Sequence, residues 1–102
     1  MVNLFTLLQV FQIKNFSKKK LRLVNLRNAN LSGVDLSGAD LHMASLADAN
    51  LIGTNMNGAD LTQANLATAN LQGASLRGVN LNLAIASGAR LAGADLSGAV
   101  LG

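Results

Sequence analysis

Large aliphatic side chains recur at every fifth residue along most of this chain. The series runs Leu26, Leu31, Leu36, Leu41, Leu46, Leu51, Met56 and Leu61 and continues to Leu101, broken only where Ala86 takes the place of a large residue. If each of these positions is called i, then i−2 is almost always Ala or Val, as at Val24, Ala29, Val34, Ala39 and Ala44, with Thr54 as the exception. A period of five fits neither the 3.6 residues of a helical turn nor the 2 of a flat strand. Positions i−2 and i lie two apart, so in a short extended piece they face one side while i−1 faces the other. The remaining two residues must turn the chain, and nine of its ten glycines stand at i+2. A type II turn centred on i+1 and i+2 requires positive φ at the second of them, which glycine adopts without steric strain.

The glycines also give the number of corners in a circuit. Taken in steps of twenty they form two pure files, Gly33, Gly53, Gly73, Gly93 and Gly38, Gly58, Gly78, Gly98, whereas the other i+2 files read Asn28, Asp48, Thr68, Gly88 and Met43, Gln63, Leu83. Four pentapeptides per circuit is the simplest solution. It predicts an all-β solenoid of about four square coils, stacked through backbone hydrogen bonds at a spacing of about 4.8 Å. Type II turns are expected at the glycine corners and mainly another type at Met43, Gln63 and Leu83, because bulky residues resist positive φ.

Units such as AlaAsnLeu, ValAspLeu and AlaAspLeu followed by a polar residue and glycine resemble the pentapeptide-repeat family, over sixteen units in register from Val24 to the end. The resemblance implies a right-handed quadrilateral β-helix. Leucine stands at most i positions where many members carry phenylalanine. The resemblance also raises a DNA-mimic role, since some relatives present an acidic rod to type II topoisomerases.

Residues 1–23 read differently, as an amphipathic helix and a basic link. Leu4, Leu7, Leu8 and Phe11 fall at helical spacing, and with Phe16 they are the expected N-terminal cap over the first coil's unpaired backbone. Phe11, Phe16 and Leu21 keep the five-residue phase, but Lys14 and Lys19 would then occupy inward slots, where burial of a charge is costly. The β-helix is therefore assigned to 24–102. The alternative for the head is a membrane tether, apolar face down and lysines on anionic headgroups. Residues 1–23 hold five cations and no acid, while the rest holds three arginines against five aspartates. The net charge of +3 thus describes one cluster.

The composition offers little to chemistry. There is no Cys, Glu, Trp, Tyr or Pro, and His42 is the single imidazole, at an outward corner. Asp40 and Asp60 share a file with Asn80, but outward Asn, Asp and Ser at i−1 are explained by local hydrogen bonding, as in the Asn30, Asn50, Asn70 file. GxxxxG spacings lack the Lys-Ser/Thr of a phosphate loop. No enzyme activity, cofactor or metal is expected. Five aspartates over four coils fall far below the charge density of DNA, which counts against topoisomerase mimicry, and nucleic-acid binding lacks a basic stripe with aromatics. No secretory signal precedes the repeats, so the expected location is cytoplasmic.

What remains is a non-catalytic scaffold or protein-interaction module presenting flat faces to an unidentified protein partner. Its candidate contact surface is Met43, Leu83, Ile85 and Val100, apolar residues assigned outward. Ile85 has a second possible place, turned inward over the gap left by Ala86. An unpaired edge on the last coil would also accept another copy of the chain.

Overall fold

The computed structural model describes residues 13–102, which form a four-sided coil. Parallel bridges link each i−1 residue to the one twenty positions on, from Asn15 with Asp35 to Asn80 with Val100. Every i+1, i+2 pair from 17–18 to 97–98 is a turn. Four flat faces result. Their inward files are Leu26, Leu46, Leu66, Ala86 on the first face and Leu31, Leu51, Leu71, Leu91 on the second. The third carries Phe16, Leu36, Met56, Leu76, Leu96 and the fourth Leu21, Leu41, Leu61, Leu81, Leu101. Leucines 26 to 76, Met56 and the small residues at i−2 from Ala29 to Val79 are buried in one continuous core. Thr54, the polar intruder, is buried and its Oγ1 donates to Leu51 O at 2.9 Å, so no hydrogen-bonding group is stranded.

The coil satisfies all five backbone N–H groups of a repeat, as the unit 49–53 illustrates. Ala49 N–H closes the turn onto Leu46 O at 3.1 Å; Asn50 N–H donates to the preceding coil at Ala29 O, 2.9 Å; Leu51 and Gly53 N–H donate to the following coil at Asn70 O, 2.7 Å, and Gln72 O, 3.1 Å. Only the i+1 N–H is left over by stacking. The Asn50 Oδ1 takes it, accepting from Ile52 N–H at 3.1 Å. The same bond recurs wherever i−1 is Asn or Asp among the described residues, from Asn15 to Asp95. Asn and Asp at i−1 are therefore the residues that complete the backbone's hydrogen bonding.

Two expectations change. The corners are not of two kinds: φ at i+2 is positive at Met43 (59°), Gln63 (59°) and Leu83 (61°), as it is at Gly53 (67°). Met43 and Gln63 N–H donate to the next coil, at Thr62 O and Asn82 O, in the register of the glycine corners. The stacked ladder dictates one turn geometry, and side-chain preference yields to it. Second, coil geometry extends upstream of residue 24, through the bridges at Asn15 and Lys20. Lys14 and Lys19 do occupy i−2 slots there. They are exposed, because at the end of the tube the inward slot opens onto solvent, so the burial penalty does not arise. Ile85 keeps the outward place given to it in the contact surface and does not fill the gap at Ala86. It pairs with Asn65 in the outward file and is 53% exposed, while Ala86 is itself exposed on the final coil. Phe16 is buried in the first coil; the other cap residues, Leu4, Leu7, Leu8 and Phe11, and the expected helix lie outside the described residues.

Candidate interaction surface

The outward surface is divided by the four corners, and its composition changes along the tube. Polar i−1 files dominate the middle. On the fourth face Asp40 and Asp60 are bridged neighbours, and each spends its Oδ1 on a turn: Asp40 on His42 N–H at 3.1 Å, Asp60 on Thr62 N–H at 2.9 Å and on Thr62 Oγ1 at 2.5 Å. The hydroxyl and the amide of Thr62 hold the Asp60 carboxyl below its ordinary pKa. The Ser37 and Ser97 hydroxyls do the same for Asp35 and Asp95. Asp35, Asp60 and Asp95, held in this way, stay charged and stay put, which suits corner stapling and not proton transfer. Among the described residues no three acids or histidines converge as metal ligands.

Apolar side chains break this polar surface in definite places. The corner file between the fourth and first faces reads Leu23, Met43, Gln63, Leu83, and its apolar members are 68%, 48% and 67% exposed. Gln63 separates the pair Leu23 and Met43 from Leu83, so the four residues expected as one surface divide. Leu83 and Ile85 flank Ala84 at one corner, and Val100 stands in the final row of the adjoining fourth face, bridged to Asn80. Met43 lies two coils away, about 10 Å along the axis, with Leu23 as its neighbour. Leu23 escaped the sequence reading because the repeat frame was begun after it.

Leu83 and Ile85 both stand where the coil favours something else. Leu83 holds φ at 61° on a corner whose counterparts in two other files are glycine. Ile85 occupies the i−1 slot, where an Asn or Asp would accept the Ser87 N–H. Beside them the final coil opens into an apolar concavity of about 240 Å³ lined by Leu66, Leu71, Leu76, Leu81 and Leu91 among others. Its floor is the end of the core, widened where Ala86 replaces a leucine.

The opposite end is cationic. Lys14, Lys18, Lys19, Lys20, Arg22 and Arg27 are exposed on the first coil. Arg22 and Arg27 reach up to second-coil acids, Asp40 at 3.6 Å and Asp48 at 3.7 Å. The only other ion pair among the described residues joins Arg77 to Asp95 at 3.8 Å. Such exposed pairs contribute little to stability.

Comparison with known proteins agrees with this architecture. The family model for pentapeptide repeats (8 copies) matches residues 15–43, 44–82 and 64–102. Among solved structures the chain is similar to a pentapeptide repeat protein from the Arabidopsis thaliana thylakoid lumen, at 28% identity and a TM-score of 0.66 over 86% of this chain and 58% of that one. It is similar to a pentapeptide repeat protein from Nostoc PCC 7120 at 41% identity and a TM-score of 0.56, over 92% of this chain and 75% of that one. A third, HetL from the same cyanobacterium, a protein involved in heterocyst differentiation regulation, is 41% identical at a TM-score of 0.50, with 85% of this chain covering 44% of HetL. No curated protein matches.

Proposed function

The chain belongs to the pentapeptide-repeat family, with its right-handed quadrilateral β-helix, and on that footing we propose that it is a non-catalytic interaction module whose contact surface centres on Leu83 and Ile85. One observation carries the reading. At these two neighbouring positions the sequence departs from what the coil itself favours, and both departures place a large aliphatic side chain in solvent. A leucine at positive φ is disfavoured by about 1 kcal/mol or more relative to glycine. An isoleucine at i−1 forgoes a turn hydrogen bond of about 1 kcal/mol. Side chains that reduce stability and stay largely exposed on their own chain are the ones expected to bury surface in a complex.

The mechanism is preorganisation. Stacked coils hold these side chains in place before contact, so little ordering entropy is lost on binding. Val100 and Met43 extend the surface on either side without being continuous with it. Topoisomerase inhibition by DNA mimicry finds less support, because the surface is cationic at one end and four of its five aspartates are tied into turns.

The double substitution L83G/I85N separates fold from function. It restores the residues the coil favours, so the variant is expected to melt at or above the temperature of the native chain. In quantitative affinity capture from the native cell it is expected to lose the proteins that the native chain retains. Retention of the same proteins by both chains would refute the assignment. A gyrase supercoiling assay is expected to show no inhibition by either.

A further inference from the structure

We propose that the cationic first coil is a docking rim for an anionic membrane surface, which the tube meets end-on. Lys14, Lys18, Lys19 and Lys20 are all exposed, and none has an ion-pair partner among the described residues. Their placement follows from the coil. Lys14 and Lys19 take the two i−2 slots at the end of the tube, Lys18 takes a corner, and Lys20 faces outward on the fourth face. The lysines thus gather on two adjoining faces, the third and the fourth, at one end of the tube.

Charge along the axis selects the partner's shape. One coil above the rim stand Asp35, Asp40 and Asp48, on the third face, the fourth face and a corner of the first. A nucleic acid running along the body would pass over these carboxylates, and the described residues provide no exposed aromatic ring on which a base could stack, since Phe16 is buried. A plane of headgroups touching the end alone meets the lysines and avoids the aspartates. Ile13 and Leu23, 38% and 68% exposed on the same coil, add apolar contacts at the rim. A basic cluster adjoining apolar side chains is the two-part combination that gives stable association with an anionic leaflet.

The test is sedimentation of the full chain with liposomes of phosphatidylcholine alone or mixed with phosphatidylserine, at low and high salt. Binding is expected only with phosphatidylserine and is expected to weaken steeply with salt. Each neutralised lysine should lower partitioning by about fivefold, hence about thirtyfold for K18Q/K20Q and several hundredfold for K14Q/K18Q/K19Q/K20Q. R77Q/R90Q, at the other end, should bind as the native chain does, and melting curves of all variants should remain superimposable. Equal association with neutral liposomes, or none with either, would overturn the proposal. Tighter, lysine-dependent binding of an RNA or DNA oligonucleotide than of the liposomes would overturn it in favour of a nucleic acid. Because the lysines lie at the opposite end from Leu83 and Ile85, failure here leaves the proposed contact surface standing, and the converse also holds.

Discussion

The stacked files allow one substitution to be made repeatedly in nearly the same surroundings, so that only depth along the tube varies. Leu51 and Leu91 stand in the same file of the second face, two coils apart; Leu51 is fully buried and Leu91 is 41% exposed beside the terminal concavity. Truncating a leucine to alanine removes three carbons, worth about 2.4 kcal/mol of transfer free energy when wholly buried. At Leu51 neighbours from the coils above and below enclose the void, and a residual cavity of about 60 Å³ adds about 1.5 kcal/mol. The L51A variant should therefore lose about 4 kcal/mol, within the range seen for such truncations. At Leu91 only about three fifths of the transfer term applies, and the void merges with the open end, so the L91A loss is about 1.4 kcal/mol. The difference of about 2.5 kcal/mol corresponds to a gap of about 10 to 20 °C between the two melting temperatures. Thermal and urea unfolding followed by circular dichroism would measure it. Equal losses, or a larger one for L91A, would refute the view that the final coil is held on one side only and contributes least to stability.

Three further outcomes follow from the turns. Asn70→Ala removes the acceptor of the Gln72 N–H at 3.1 Å and should cost about 1 kcal/mol in urea unfolding, with Asn70→Asp close to neutral. Gly53→Ala tests the corner alone: φ is 67° and a Cβ there meets nothing within 4 Å, so a loss of about 1 kcal/mol can come only from backbone strain. The carboxyls of Asp35, Asp60 and Asp95 titrate below their unfolded value of 3.8, so their turn bonds contribute fully above that pH. That contribution is lost as pH falls below 3.8 and through the lower folded values. Melting temperature should accordingly drop in that window, and Thr62→Ala should shrink the drop.

The sequence carried the architecture because its period is a direct image of it. Leu46 and Leu66 stand twenty residues apart because each occupies the same place in successive coils, and the pure glycine files revealed four corners by simple counting. Side-chain preference alone misjudged the corners at Met43, Gln63 and Leu83. At Met43 and Gln63 the turn is fixed by inter-coil hydrogen bonds, which join residues about twenty apart and do not register in the local composition. The upstream boundary was missed for a related reason: Lys14 and Lys19 look unburiable in an infinite coil, and only the end of a finite one leaves their slots open. Ile85 could not be oriented from pattern, because an aliphatic residue in an outward slot and a gap at the neighbouring inward slot admit two local solutions. The ladder decides between them, since the Ile85 N–H and carbonyl are both engaged with the third coil, at Ala64 O and Leu66 N. The cationic cluster was visible as a run of lysines, but its placement on two adjoining faces of the first coil depends on the coil having begun before them.

Since every inward slot repeats after five residues while every outward file repeats only after twenty, interior and exterior obey different arithmetic. Lengthening the chain by one pentapeptide after Gly53 would leave all later leucines in the core, yet it would carry Leu83, Ile85 and Val100 a quarter of the way around the axis relative to the lysines. Four such insertions would bring them back into line, one storey higher. Such a molecule can rotate one end's chemistry against the other's in right-angled steps without renegotiating its interior.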